Sequence, residues 1–346
     1  MAGKRTRATI KDVARRAGVS PTTVSHAFSG NGTVAAETAE RVREAARELG
    51  YRPDTVARGL RSSRLGVLGL VVRPLDPSDT AFLEGVDYFL RFAGSAALAA
   101  VERGYGLMLV PDPTRADAPA VGLACDGFLI TEPVENDPLI TMLDRECVPF
   151  LGVGRDPARP ASPDYLDLGT GRIVAEVLDH LAAAGGTRVA AVLGTDRNEW
   201  NLDAEKAYLD WVRARGQQPL AVRRAEVAGE AGGREAGEEL FALASPPDAV
   251  YCQTGRHAAG VRAAALARGL AVPGDVRIAC GADSDSEHTR SGVPPITAVD
   301  LRPVQLARTA VAVLADRVEG IEPPVPGPAE YELIVRGSTR GQSVFR

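Results

Sequence analysis

The 346 residues suffice for two or three domains with their own cores, and 45 % hydrophobic with 25 % charged residues is the composition of an ordinary globular chain. No apolar run nears the roughly 20 residues of a bilayer-spanning helix, and no apolar stretch follows the basic start MAGKRTRATIKD, so neither a membrane anchor nor a secretory leader is expected and a cytoplasmic location is. The net charge of −5 argues against a nucleic-acid partner only until it is divided: residues 1–64 carry 13 Lys+Arg against 6 Asp+Glu, a net +7, and the remainder a net −12.

Residues 1–7 are basic and lack apolar periodicity, as expected of an arm outside any packed core. Thr9 is placed to N-cap a helix with Asp12 in its first turn, and Ile10, Val13, Ala14 and Ala17 give that helix one apolar face. Gly18 fits the left-handed conformation of a tight inter-helix turn with Val19 buried beside it. Ser20 then caps a second helix with Pro21 at its first position, where the missing N–H costs nothing. In that helix Val24, Ala27 and Phe28 point inward, and Thr22, Thr23, Ser25, His26 and Ser29 stay on the outer side. Two short helices joined by a glycine turn make a helix-turn-helix, whose second helix fits the DNA major groove. Its short polar side chains permit close approach, and the His26 imidazole can bond a purine N7 or O6 edge. After a Ser29-Gly30-Asn31-Gly32 loop, a third helix is predicted over 36–49, with Ala39, Val42, Ala46 and Leu49 facing the core, Ala35 where a capping residue usually stands, and Gly50 ending it. A three-helix domain that binds protein is the alternative; the basic charge, the turn glycine and the small polar face together favour DNA.

TIKDVARRAGVSPTTVSHAFSG, followed by RVREAARELGYRPDTVARGL, resembles the lactose/galactose-repressor (LacI/GalR) family, and T-T-V-S-H is similar to the recognition helix of its purine-repressor branch. The resemblance implies that Thr22 and His26 read bases with Thr23 and Ser25 near the groove or backbone. Thr9, Ser20, Ser29 and Tyr51 complete the expected DNA contacts of this region. Pro21 and Gly32 stand where relatives often carry a polar reader and an arginine.

Residues 51–64 are read as a hinge. Tyr51-Arg52-Pro53 is an extended breaker, and Asp54 can cap a helix over 54–60 that is too short to persist alone. The resemblance implies that two copies fold together on an operator, with Leu60 wedged into a minor-groove step, Ala57 allowing close helix approach, and Arg58 and Arg61 contacting phosphate or minor groove. Gly59, where relatives carry a better helix former, raises the ordering cost by about 1 kcal/mol.

From residue 65 onward strands alternate with helices. Apolar strand runs fall at 65–72, 106–110, 127–130, 149–153, 189–193, 249–252 and 276–280, with amphipathic helices at 91–103, 170–184, 203–215, 234–244, 257–268 and 304–319. This is a parallel α/β series with too many strands for one sheet, so two lobes are expected, about 65–162 with 296–322 and about 166–292 with 326–340. The proline-rich stretches 156–164 and 321–328 suggest crossings between them. Ligands of such folds bind beyond the carboxyl ends of the strands. GTRVAAVLG, PDAVYCQT, ARGLAVPGDVRIACGADS and PPITAVDLRP resemble the same family's ligand-sensing core, which is similar to periplasmic sugar-binding proteins. The fold expected is thus an N-terminal all-α helix-turn-helix domain (1–50) and hinge helix, then a two-lobed α/β periplasmic-binding-protein-like domain (65–346) with parallel sheets.

By that resemblance Arg197, after the strand ending LGT, matches an effector-contacting arginine, and Asp283 matches an effector-contacting acid, while Ser284 and Ala282 replace a second acid and an aromatic. The run Gln253-Thr254-Gly255-Arg256, with Gln253 and Arg256 as candidates, stands where relatives with N-D-x-x-A-x-G have their polar pair, and Asp87-Tyr88-Phe89 sits roughly where an N-P-F-F motif lies. Trp200, beside the Arg197 loop, is a further pocket candidate, whereas Trp211 continues an apolar helix face. If Arg155, Arg197 and Arg256 converge on the cleft, the effector is anionic, a sugar phosphate or carboxylate; arginines paired on the surface are the alternative, since lysine occurs only at Lys4, Lys11 and Lys206 and arginine carries nearly all the positive charge.

No G-x-S-x-G, H-E-x-x-H, P-loop or dinucleotide fingerprint is present, and the four histidines fall in separate segments. Cys125, Cys147, Cys252 and Cys280 lack C-x-x-C spacing, so neither a disulfide framework nor a metal site is expected. The expectation is a non-catalytic regulator without cofactor. Its partners are duplex operator DNA, a sugar-like effector and a second copy of itself, because residues 341–346 carry no leucine heptad for a larger assembly. A solute-binding protein without a DNA role is the competing class.

Overall fold

The computed structural model describes residues 8–29, 34–51, 64–73, 87–115, 124–283, 286–324 and 326–340. It divides into two compact units, Met1–Leu65 and Gly66–Arg346. The first contains α1 (Ile10–Ala17), α2 (Pro21–Ser29) and α3 (Ala36–Leu49). The Asp12 carboxylate accepts hydrogen bonds from the backbone nitrogen (2.9 Å) and hydroxyl (2.7 Å) of Thr9, closing the start of α1. Gly18 takes φ +67°, where any side chain would be strained, and so permits the turn into α2. The Ser20 hydroxyl accepts from the Thr23 backbone nitrogen at 3.1 Å, while Ala35 offers α3 no side-chain cap.

Val13, Ala14, Ala17, Val24, Val42, Ala45 and Ala46 form this unit's core, with Phe28 and Tyr51 packed against it. One expectation fails here. Leu49 is 38 % exposed, and Ala45 takes the inward place. The cause is the end of α3. Gly50 turns left-handed, the Tyr51 N–H reaches back to the Ala46 carbonyl at 2.8 Å, and the Tyr51 ring lies 6.1 Å from Phe28, so the aromatic after the helix covers the core. The expected hinge helix, with Ala57, Arg58, Leu60 and Arg61, lies outside the described residues, as does the Ser29 side chain.

The second unit holds two sheets. The first, in the order β2-β1-β3-β4-β5, is wholly parallel and comprises β1 (Val67–Val71), β2 (Gly106–Leu109), β3 (Gly127–Thr131), β4 (Phe150–Val153) and β5 (Tyr165–Leu166). Its helices are α4 (Asp87–Glu102) and α5 (Pro138–Glu146). The second sheet, in the order β11-β10-β9-β8-β6-β7, comprises β6 (Val189–Leu193), β7 (Ala221–Arg223), β8 (Ala249–Cys252), β9 (Arg277–Cys280), β10 (Thr297–Asp300) and β11 (Glu332–Ile334). Only β11 runs antiparallel to its neighbour. With it go α6 (Thr170–Ala183), α7 (Glu199–Ala214), α8 (Gly229–Phe241), α9 (Gly255–Ala267) and the short α10 (Ser286–Arg290). The last helix, α11 (Pro303–Glu319), returns to the first lobe, where Leu306, Ala310 and Leu314 share a core with Phe92 and Ala96 of α4.

Two boundaries differ from the sequence reading. Strand β10 belongs to the second sheet, so the chain returns to the first lobe at about 301–302 rather than near 295. The proline-rich 156–164 stretch leads into β5 of the first sheet, and the crossing follows β5. The crossings are tied together: the Ala329 N–H donates to the Asp167 carbonyl at 2.7 Å, and Arg302 ion-pairs with Glu330 at 3.0 Å.

Candidate functional site

In a parallel sheet every strand delivers its next residue to the same edge, so the carboxyl ends of both sheets are the natural place for a site. There residues of both lobes line one shared cavity, the place where ligands of such folds bind. Glu132 follows β3, Leu168 follows β5, Glu226 follows β7, Thr254 follows β8, Ala282 follows β9 and Leu301 follows β10, and all six line it. Tyr88 and Phe89, in the first turn of α4, and Trp200, in the first turn of α7, supply aromatic walls. The Tyr88 and Phe89 rings meet edge to face with centroids 5.3 Å apart. Arg256 at the start of α9 completes the lining.

Of the sequence candidates, Phe89, Trp200 and Arg256 lie on this wall. Gln253 sits one layer behind it and is fully buried. Its amide nitrogen donates to the Trp200 carbonyl at 3.0 Å and its oxygen accepts from the Tyr251 hydroxyl at 2.7 Å, which fixes the backbone that carries the tryptophan. Asp283 is saturated by protein. Burial alone would raise its pKa, but hydrogen bonds from Arg336 (2.6 Å), Thr289 and Arg290 (2.8 Å) outweigh that and hold it below the usual carboxylate range. It joins the end of β9 to the closing segment of the chain.

The expected convergence of three arginines does not occur. Arg155 is held by Glu199, at 2.6 Å, and by Asp203, at 2.8 Å, so it bridges the loop after β4 to α7. Arg197 is 65 % exposed and donates its Nε to Glu135 at 2.6 Å; the Glu135 N–H donates to the Arg197 carbonyl at 2.8 Å. Both arginines therefore clasp one lobe to the other, and only Arg256 faces the cavity. The reason is local: Glu135, Glu199 and Asp203 lie within reach and satisfy the guanidinium groups first.

The cavity carries carboxyls that sequence reasoning missed. Glu132 Oε2 accepts from Asn198 Nδ2 and Glu226 Oε1 accepts from Asn201 Nδ2, both at 3.2 Å. Burial, then the charges of Glu226 and Asp196, push Glu132 well above the usual carboxylate range, and burial, with the charge of Asp196, pushes Glu226 up to about 7 against the hydrogen bond from Asn201. Glu132 was within reach of sequence reasoning, being the second residue past the carboxyl end of the strand expected over 127–130. Glu226 was not, because β7 is a three-residue strand, AVR, without an apolar run.

On α2 of the first unit, Thr22 and His26, one turn apart, are both exposed, and Pro21 is exposed beside them. Thr23 and Ser25 are half-buried, and the Thr23 hydroxyl lies 2.9 Å from that of Ser20 in the cap. Thr9 is exposed but bonded to Asp12, and Tyr51 is half-buried against Phe28.

Residues 9–54 match the description "Bacterial regulatory proteins, lacI family", and residues 178–339 match "Periplasmic binding protein-like domain". The chain is 30 % identical over 278 residues to the HTH-type transcriptional regulator AglR of Rhizobium meliloti (strain 1021), covering 78 % of this chain and 76 % of that protein. The solved structure of the transcriptional regulator CelR in complex with cellobiose superposes with a TM-score of 0.68 at 25 % identity, covering 96 % of this chain and all of CelR. The fold is also that of the lac repressor dimer bound to operator and the anti-inducer ONPF, with a TM-score of 0.81 at 21 % identity over 97 % of this chain and 100 % of that one. The chain belongs to the lacI family of bacterial regulatory proteins: it is a helix-turn-helix transcriptional regulator with a periplasmic-binding-protein-like domain.

Proposed function

We propose that this regulator acts as a homodimeric repressor on a two-fold-symmetric operator, and that a sugar-like molecule in the inter-lobe cavity modulates its grip on DNA. Each α2 enters a major groove with Thr22 and His26 as base readers, while Thr9, Ser20, Thr23, Ser25, Ser29 and Tyr51 stand at the groove edge or backbone. Leu60 wedges the minor groove between half-sites, with Ala57 at the hinge contact and Arg58 and Arg61 on phosphate or groove. Effector occupancy changes the relation of the lobes and thereby the hinge. The coupling is reciprocal, so operator DNA changes effector affinity by the same factor.

The observation that carries this reading is the aromatic-walled cavity at the carboxyl ends of both sheets, in a chain whose other unit exposes Thr22 and His26 on a recognition helix. A cellobiose complex of CelR supports a sugar-type effector. Phe89, Trp200 and Arg256 are its contacts, with Gln253, Asp283, Arg155 and Arg197 acting around them as positioning groups. Exposed apolar side chains on two neighbouring elements support the dimer: Leu90 (57 % exposed), Leu98 (64 %) and Val101 (67 %) lie on α4, and Leu109 (58 %) on β2, the edge strand of the first sheet.

Selection from random duplex DNA, followed by mobility shifts, tests the proposal. The intact chain is expected to enrich a near-palindrome, residues 66–346 to bind none, and His26→Ala to lose about 1–3 kcal/mol of discrimination at the base it reads. Equal DNA binding by intact chain and residues 66–346 would defeat the reading, and an unchanged preferred site for His26→Ala would remove that residue as a reader.

A further inference from the structure

The chemistry of the cavity's carboxyls points to a narrower class of ligand. Glu132 and Glu226 are half-buried, and both line the cavity. Each uses one oxygen on an asparagine amide. Glu132 Oε1 and Glu226 Oε2 accept no hydrogen bond among the described residues. The Tyr88 hydroxyl, close enough to Glu132 to feel its charge, likewise has no hydrogen-bond partner there. Among the described residues no Lys, Arg or His pairs with Glu132, Glu226 or Asp196. The undescribed stretches of this unit before residue 341, namely 74–86, 116–123, 284–285 and 325, contain no Lys, Arg or His. Arg256 shares the lining and has a partner of its own.

We propose that the effector carries a protonated amine on a sugar-sized skeleton, with the ammonium seated between Glu132 and Glu226 and the carbon frame against Tyr88, Phe89 and Trp200. This rests on the reading of the cavity as the effector site. An ammonium has three N–H donors, and the two open carboxyl oxygens and the Tyr88 hydroxyl are three acceptors. The neighbouring ring faces add attraction for a cation, most when water is excluded. A neutral polyol would cover two half-buried carboxylates without bringing a counter-charge, an arrangement that desolvation opposes unless protons stay on them. A phosphate or carboxylate would add a third negative group to the same enclosure.

The raised pKa values supply a signature. Burial raises both carboxyls, Glu226 to about 7, so each holds its proton to a higher pH than an exposed carboxylate does. An arriving ammonium favours both ionised forms, so binding releases protons and tightens as pH rises from about 5.5 to 7.5. A neutral sugar has no such requirement. Among the described residues Asp196 and Arg256 are further charged groups at this place, and Tyr88 and His257, whose Nε2 lies 3.3 Å from the Ala225 carbonyl oxygen, further titratable ones; burial holds His257 down to about 4, so it stays neutral across this range.

Isothermal titration of the full chain tests this with matched pairs: glucosamine and glucose, galactosamine and galactose, mannosamine and mannose. Putrescine serves as an amine without a ring, and glucose 6-phosphate as an anion. At least one amino sugar is expected to bind about 10-fold or more tighter than its neutral twin, with proton release across buffers of different ionisation enthalpy. Glu132→Gln and Glu226→Gln, checked for folding by thermal unfolding, are expected to abolish that preference and the proton release. The proposal is overturned if no amino sugar binds at about 10 mM, if each neutral twin or glucose 6-phosphate binds as well, or if the preference survives both substitutions. Neutral-sugar binding that Trp200→Ala removes would overturn the amine and leave the cavity as effector site. Binding indifferent to Trp200→Ala would defeat the cavity reading itself.

Discussion

Glu226 shows how one residue couples the cavity to the stability of its lobe. Burial raises its carboxyl from 4.5 to about 7 in the folded chain. A raised acid favours the folded state fully below the unfolded pKa and loses that contribution as pH climbs through the folded value. The unliganded protein is therefore expected to lose thermal stability between about pH 4.5 and 7 through this group, and Glu226→Gln to flatten that part of the curve. Parallel pH–Tm curves for the two proteins would contradict this. Glu199 is also raised by burial to about 7, but it answers to Arg155 at 2.6 Å, so its proton bears on the clasp between lobes rather than on the ligand. Trp211, assigned to the core from its helical spacing, is 7 % exposed. It still needs a polar partner, which Asp179 provides by accepting from its Nε1 at 2.8 Å, with Arg215 3.9 Å above the ring.

At the scale of elements, helices α8 and α9 approach through glycine. A Cβ on Gly233 would lie 2.2 Å from the His257 carbonyl oxygen, and one on Gly260 would lie 2.1 Å from the Glu230 carbonyl oxygen. Both obstacles are backbone, which cannot rotate away. Gly233→Ala is expected to cost roughly 1–3 kcal/mol despite alanine's better helix propensity, while Gly171→Ala in α6, with nothing within 4 Å, is expected to be neutral or stabilising. Thermal unfolding distinguishes them; equal Tm for the two variants would refute the close approach. Helix starts extend beyond the sequence reading for a related reason. Asn198 accepts from the Asn201 N–H at 3.0 Å and Thr254 from that of His257 at 3.3 Å, so α7 and α9 begin at caps that precede their apolar periodicity. This extension brings Trp200 and Arg256 to the cavity.

At the scale of the whole molecule, the apolar face of α4 and β2 is the surface that the dimer would cover. Leu98→Glu is expected to shift the monomer–dimer equilibrium toward monomer by about 10-fold or more and to weaken operator binding in step, without lowering monomer stability. Sedimentation equilibrium decides it, and an unchanged dimer would move the interface elsewhere. The sequence by itself determined the helical unit, its glycine turn and caps, and the parallel α/β series, because each follows from a local signal: periodicity, a cap, a left-handed glycine. It also determined that Phe89, Trp200 and Arg256 deserved testing as site residues. Tertiary structure decided what periodicity could not. It assigned β10 to the second sheet, turned Leu49 outward in favour of Tyr51, and paired Arg155 and Arg197 with carboxylates from distant segments. Above all, it brought Glu132 and Glu226 to one cavity although 94 positions separate them, since only the common edge of two parallel sheets joins residues so far apart in the chain.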